Sequence, residues 1–122
     1  MEKTSVIVYH NENCSKSCSA LDVLNNEGLA FQVVEYLKDR PSIAELKEIV
    51  KKLNCRPKDI IRTNEAIYQE KFVDKDLSDE QWIEAMHNFP ILIQRPIIVN
   101  GTQAYVARTP NEVIAAISKP KQ

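Results

Sequence analysis

The chain has 122 residues, 43% of them hydrophobic, and its 16 basic and 17 acidic side chains give a formal net charge of −1. This length suffices for a core without metal or disulfide staples, so we expect one globular domain over residues 1–122. The balanced charge excludes whole-chain attraction to nucleic acid or to an anionic membrane. No apolar run has the length of a membrane span, no signal peptide is visible, and an odd cysteine number argues against a secreted disulfide framework. We therefore expect a cytoplasmic monomer.

The first predicted elements form a βαβ unit. Residues 4–9 include a β-branched and aromatic run typical of a buried strand. Residues 15–27 carry Leu21 and Leu24 at helical spacing. Residues 31–36 again have strand character, and a helix between two strands favours their parallel pairing.

The middle of the chain, about residues 42–89, is predicted to be a helical insertion. Ser42 and Glu45 have the spacing of a capping box, in which each side chain bonds the other residue's backbone N–H. Ser78 and Gln81 repeat that spacing at the start of a second amphipathic helix. Shorter helices are predicted from Pro57 and around Ala66–Lys71.

The C-terminal segment is predicted to form two strands and a last helix. A short apolar strand begins at Pro96, Asn100-Gly101 is a strong hairpin signal, and residues 104–106 form the returning strand. The Arg95–Pro96 bond is a candidate for the cis form. The last helix is predicted to begin with the capping residues Thr109, Pro110 and Glu112. It is predicted to dock through Val113, Ile114 and Ile117.

The order of these elements predicts an α/β thioredoxin-like fold. It reads βαβ, helical insertion, ββα, which gives a mixed four-stranded sheet. Cys14 lies at the junction between the predicted first strand and the predicted first helix. Unpaired N–H groups and the positive end of the helix dipole favour a thiolate there and can also hold an oxyanion. The alternative is that Cys14 is a small buried hydrophobic residue.

Four stretches of the chain carry a resemblance to a known family over about residues 5–118. They are Tyr9–Asn11 with Cys14 three residues on, Ile61–Asn64, Pro90–Pro96 and Arg108–Pro110. In combination they resemble the arsenate reductase family, in its thioredoxin-fold type that is coupled to glutathione and glutaredoxin and related to Spx-type regulators.

The resemblance implies a role for each matched residue. Cys14 matches the nucleophile that attacks arsenate or a similar oxyanion, and His10 and Ser17 match positions that tune it. The arginines that match oxyanion ligands are Arg62, Arg95 and Arg108. Arginine suits this role because its planar fork of donors fits tetrahedral oxyanions. The resemblance also implies glutathione as co-substrate, glutaredoxin as partner and no bound cofactor.

Each residue also has a plain structural reading. Arg62 near a helix end reads on its own as a solvated charge, His10 as a satisfied loop histidine, and Ser17 as a first-turn helix residue. No His/Cys cluster has the spacing of a zinc site, so we expect no metal.

The sequence departs from the family pattern at Ser15, where glycine is usual, and at Cys18, where an arginine is usual. Cys18 lies one helical turn beyond Cys14, so it is a candidate resolving thiol. The alternative is that Cys18 packs in the core beneath Leu21 and Leu24. The most favoured function is a thiol-dependent arsenate reductase. The other hypotheses are an Spx-like redox-responsive regulatory protein, although the cysteine spacing differs from Cys-x-x-Cys, and a general thiol–disulfide oxidoreductase.

Overall fold

The computed structural model describes residues 6–28 and 30–118. In chain order, the strands and α-helices are β1 (Val6–His10), α1 (Ser15–Asn26), β2 (Gln32–Glu35), α2 (Ile43–Leu53), α3 (Ala66–Lys71), α4 (Asp79–Asn88), β3 (Ile97–Asn100), β4 (Gln103–Val106) and α5 (Pro110–Ser118). Short 3-10 helices occur at Pro57–Ile60 and Pro90–Leu92. Within the described ranges, no helix is both long and apolar enough to span a membrane.

The strands form one mixed sheet with the order β2-β1-β3-β4. β1 pairs with β2 in parallel and with β3 antiparallel, and β3 pairs antiparallel with β4. The parallel pair requires a crossover, which α1 supplies. This arrangement confirms the predicted α/β thioredoxin-like fold and makes β1 a central strand.

By contact, the chain divides into two compact units: Met1–Asp39 with Arg95–Gln122, and Arg40–Gln94. The first unit holds the sheet, α1 and α5, and the second contains the segment predicted as a helical insertion. The description of residues 1–122 as a single domain with that insertion stays a prediction.

The core of the first unit joins the sheet to α1 and α5. Its buried residues are Val6, Val8, Ala20, Leu24, Ile98, Ala107, Val113 and Ala116. One docking residue predicted for α5 is wrong, because Ile114 is 40% exposed. Ala116 is buried instead, since it lies three positions from Val113 and shares its helix face, whereas Ile114 is turned away.

The second unit is built on α2 and α4. Both helices begin as predicted, because Ser42 Oγ accepts a hydrogen bond from the Glu45 N–H at 3.0 Å, and Ser78 and Gln81 form both halves of a capping box. Trp82 is almost fully buried in α4. Its ring stacks on Tyr68 at a centroid distance of 6.3 Å.

Two local predictions differ from the structure. The loop residues of the β3–β4 hairpin are Gly101 and Thr102 rather than Asn100-Gly101, because Asn100 pairs with Gln103. Gly101 has φ +67°, which a two-residue hairpin loop requires at its first position and glycine adopts readily. After Pro90 the chain makes a 3-10 turn before it returns to strand. The Arg95–Pro96 peptide bond is cis, as the sequence led us to consider.

Replacement of the α2 cap tests the assignment of its N-terminus. Ser42→Ala removes the acceptor for the Glu45 N–H and should lower the free energy of unfolding by about 1 kcal/mol. Urea unfolding followed by the fluorescence of Trp82, the single tryptophan of the chain, measures the change. Ser19→Ala, at an exposed position inside α1, is the control and should have little effect. An unchanged midpoint for Ser42→Ala would contradict the capping role.

Candidate active site

Cys14 is the N-cap residue of α1 and follows the loop that leaves β1. Its backbone is extended, with φ −108° and ψ 120°, and no side-chain oxygen caps the helix. The backbone N–H groups of Ser17 and Lys16, in the first turn of α1, lower the pKa of the Cys14 thiol. These N–H groups are among the donors that a helix terminus leaves without partners inside the helix. This position at the strand–helix junction is the one the sequence predicts.

The pKa of the Cys14 thiol lies below that of an ordinary cysteine. Burial alone would raise this pKa. The backbone N–H of Ser17, the side chain of Arg95 and the backbone N–H of Lys16 outweigh burial by hydrogen-bonding to the thiolate, and the Arg95 charge adds to them. Cys14 is also partly exposed, so the interpretation as a buried hydrophobic residue is wrong. The arrangement favours the thiolate form of Cys14.

Strand pairing explains why Arg95 meets a residue 81 positions earlier in the chain. β3 runs antiparallel to β1, and Ile97 at its start pairs with Tyr9 near the end of β1. Arg95 therefore lies just before β3 at the sheet edge where the chain leaves β1 toward Cys14. From this position the guanidinium and its positive charge lower the pKa of the Cys14 thiol. Of the three predicted arginines, Arg95 is the one whose contact with Cys14 the structure records.

Asn11 organises the loop before Cys14, although it was not among the site residues predicted from the sequence. Its carbonyl accepts the Cys14 N–H at 3.0 Å, and its side-chain oxygen accepts the Asn13 N–H at 2.9 Å. Its own N–H donates to Ser17 Oγ at 3.4 Å. An asparagine directly after a strand is a known turn former, and that local signal could have identified it.

Ser17 and His10 are both buried beside this loop. Ser17 is 0% exposed, and its hydroxyl holds Asn11, so it anchors the loop to the first turn of α1. His10 ends β1, is 5% exposed, and has no hydrogen-bond partner at Nδ1 among the described residues. A buried polar atom of this kind is uncommon. The predicted tuning roles of both residues stay predictions.

Cys18 is exposed, so the alternative that it packs in the core is wrong. Ala20 and Leu24 occupy the buried face of α1 instead. The Cys18 thiol donates a hydrogen bond to the Glu12 carbonyl oxygen at 3.4 Å. Its side chain therefore points back along the helix to the loop that carries Cys14.

The other two predicted arginines have different surroundings. Arg108 is exposed at the start of α5, and its backbone N–H donates to Glu112 Oε1 at 2.7 Å. Arg62 belongs to the second unit, where its Nε lies 2.9 Å from Glu65 Oε2. The Arg62 side chain is only 20% exposed, so its interpretation as a solvated charge is wrong. The oxyanion-binding roles of both arginines stay predictions.

A surface ion-pair cluster includes a residue of the loop that joins β1 to α1. Lys38 Nζ is 3.2 Å from Glu12 Oε2 and 3.3 Å from Glu35 Oε1. Lys38 thereby balances the acidic group two residues before Cys14, although such exposed pairs contribute little to stability. In the described part of the chain, no group of three or more His, Cys, Asp or Glu side chains could hold a metal ion.

Comparison with protein families gives one match that spans most of the chain. The ArsC family model matches residues 9–116. This range contains every site residue discussed above.

Individual relatives agree with the family match. The chain is 38% identical over 112 residues to the arsenate reductase of Haemophilus influenzae, with 90% of this chain and 97% of that protein covered. It is 41% identical over 118 residues to an uncharacterised protein of Streptomyces viridochromogenes, with coverages of 92% and 98%. Among solved structures it is similar to the arsenate reductase from Vibrio cholerae, with a TM-score of 0.87, 39% identity, and 94% of this chain and 99% of that chain covered.

Removal of the Arg95 charge tests the electrostatic origin of Cys14 reactivity. Arg95→Met should raise the pKa of Cys14, because a hydrogen bond and a positive charge that favour the thiolate are lost. The pH dependence of alkylation by iodoacetamide, read peptide by peptide in a mass spectrometer, should move to higher pH. Arg56→Met removes an exposed arginine that is paired with Asp79 and lies outside the proposed site, so its profile should stay in place. A profile unchanged by Arg95→Met would contradict the proposed contact.

Proposed function

The chain belongs to the ArsC family, and from this membership and the state of Cys14 we propose that it is a thiol-dependent arsenate reductase. The observation that carries the proposal is the position of the partly exposed Cys14 at the N-cap of α1, where first-turn N–H groups and Arg95 lower the pKa of its thiol. A thiolate is the nucleophilic form of cysteine, and the donors around it also suit a tetrahedral oxyanion. Two proteins that this chain matches over nearly their whole length are named arsenate reductase, and this supports arsenate as the substrate.

The first chemical step is attack by the Cys14 thiolate on the arsenic of arsenate. A sulfur–arsenic bond forms, an arsenic–oxygen bond breaks, and the departing oxygen takes up protons and leaves as water. The N–H groups of Ser17 and Lys16 and the guanidinium of Arg95 stabilise the negative charge during this step. By their match to the family pattern, Arg62 and Arg108 are proposed as further ligands of the oxyanion.

The second step requires another thiol. Its sulfur attacks the Cys14 sulfur, a disulfide bond forms, and the sulfur–arsenic bond breaks with its electron pair passing to arsenic. Arsenic(V) is thereby reduced to arsenic(III) and leaves as arsenite. Glutathione and glutaredoxin are the proposed source of thiols in the cytoplasm, and no bound cofactor is required.

A redox-responsive regulatory protein is the second candidate function. The observation that favours it is the exposed Cys18 thiol one helical turn from Cys14, where oxidation could alter the surface of α1. The contact between Arg95 and Cys14 favours the enzyme, because a disulfide switch does not need an oxyanion ligand. Catalytic turnover of arsenate separates the two functions.

Arsenite production tests the enzyme directly. The purified protein with arsenate, glutathione and glutaredoxin should release arsenite over many turnovers, whereas Cys14→Ser should release none, because the nucleophile is lost. Chromatographic separation of the arsenic species measures the product. Cys55→Ser, which removes a half-buried cysteine of the second unit, is the matched control and should keep its activity. Failure of the wild type to produce arsenite would exclude the proposed function.

Oxyanion affinity tests the arginines separately from turnover. Arg95→Ala and Arg62→Ala should each weaken sulfate or arsenate binding, because a hydrogen bond to a charged group contributes about 1.5–3 kcal/mol, or roughly tenfold to a hundredfold in affinity. Titration calorimetry gives the affinities, and thermal melting confirms that each variant folds. Arg56→Ala, which removes an exposed arginine paired with Asp79, should bind like the wild type. Equal affinities in all four proteins would exclude Arg62 and Arg95 as ligands.

A further inference from the structure

We infer that Cys18 is the resolving thiol of Cys14, so that an adduct formed on Cys14 is released by a disulfide within the same chain. For an arsenic adduct this inference rests on the proposed function. The pairing of the two thiols does not, because it depends only on the geometry of the first turn of α1.

The backbone places the two cysteines within disulfide range. The Cys18 N–H donates to the Cys14 carbonyl oxygen at 3.0 Å, so the two residues are joined by one helical turn. Four residues of an α-helix rise about 6 Å along its axis. Disulfides join Cα atoms that are about 4.4–6.8 Å apart, so the separation lies inside this range, near its upper end.

The Cys18 side chain points in the required direction. Side chains of a helix lean toward its N-terminus, and the Cys18 sulfur follows this rule, since it reaches the Glu12 carbonyl oxygen at 3.4 Å. Glu12 lies two residues before Cys14 in the same loop. The Cys18 sulfur therefore already lies over the segment that carries Cys14, and a side-chain rotation redirects it.

α1 begins without the side-chain hydrogen bond that caps the starts of α2, α4 and α5. α2, α4 and α5 begin with hydroxyl caps from Ser42, Ser78 and Thr109. α1 has no side-chain cap and no acidic residue in its first turn. Closing a disulfide near the upper end of the permitted range requires a small shift of the Cys18 backbone, and no side-chain cap has to break for that movement.

Exposure suits Cys18 to a catalytic cycle. Its sulfur lies at the surface, so a disulfide that contains it is open to reduction by an external thiol such as glutathione. Cys55 is a poor competitor, because burial and the negative charge of Asp59 raise the pKa of its thiol. Among the three cysteines, Cys18 is also the one that shares a helical turn with Cys14.

The resolving step balances without a further reactant. The Cys18 sulfur attacks the Cys14 sulfur, the Cys18 proton passes to the departing group, and one sulfur–sulfur bond replaces the bond between Cys14 and the adduct. With arsenic as the adduct, the protein loses two electrons and arsenic(V) becomes arsenic(III). An external thiol then reduces the Cys14–Cys18 disulfide.

A first experiment tests the thiol pair without arsenate. Reduced protein is treated with one equivalent of hydrogen peroxide in the presence of dimedone, which traps sulfenic acid, and is digested without reductant. Wild type and Cys55→Ser should yield a linked Cys14–Cys18 peptide that has lost two hydrogens. Cys18→Ser should yield dimedone-labelled Cys14. Dimedone-labelled Cys14 with a free Cys18 in the wild type would overturn the inference.

A second experiment follows arsenate through one turnover without added thiol. Wild type and Cys55→Ser should release one equivalent of arsenite and acquire the Cys14–Cys18 disulfide. Cys18→Ser should release none until glutathione is added, which supplies the missing thiol. Arsenite that forms in the wild type only after glutathione addition would overturn the inference and leave the proposed function standing. A peroxide-induced Cys14–Cys18 disulfide without arsenite under any condition would overturn the proposed function and leave the thiol pair standing.

Discussion

The backbone N–H groups in the first turn of α1 have no acceptor within the helix, and the rest of the site depends on this constraint. α2, α4 and α5 satisfy such groups with the hydroxyls of Ser42, Ser78 and Thr109. α1 has Cys14 at the same position, and the N–H groups of Ser17 and Lys16 lower the pKa of its thiol. A hydroxyl cap is worth about 0.5–2 kcal/mol of stability. No side-chain hydrogen bond caps α1, and its first-turn donors instead favour the thiolate of Cys14.

Hydrogen bonds also hold the loop that precedes Cys14. Asn11 joins three points of the loop and the helix, and the fully buried Ser17 receives its N–H. β1, which precedes the loop, is paired on both sides in the sheet. The backbone that aims its N–H groups at Cys14 is therefore anchored at both ends. Preorganised donors of this kind need no rearrangement when charge develops, which is the condition for electrostatic catalysis.

The ion pair between Arg62 and Glu65 affects how Arg62 can bind an anion. Arg62 is held by Glu65 at 2.9 Å, and both side chains are about four-fifths buried. An oxyanion that takes Arg62 as a ligand has to displace or share this carboxylate. Arg95 already interacts with the Cys14 sulfur, so its charge favours the thiolate before any substrate arrives. Cys18 adds an exposed thiol one helical turn beyond Cys14.

Local signals in the sequence determined the helix starts, the strands and the place of Cys14 at a strand–helix junction. The caps at Ser42, Ser78 and Thr109 follow from contacts three residues apart, and such contacts form wherever the local backbone permits them. The tertiary structure alone decided that Arg95 reaches Cys14, because that contact depends on the pairing of β1 with β3 across the chain. It also decided that Ile114 and Cys18 face solvent, since helical spacing gives the faces of a helix but not which face the sheet covers. For Asn11, the sequence and the tertiary structure each supply a part. Its turn is formed by local residues, but its contact with the buried Ser17 is seen only in the structure.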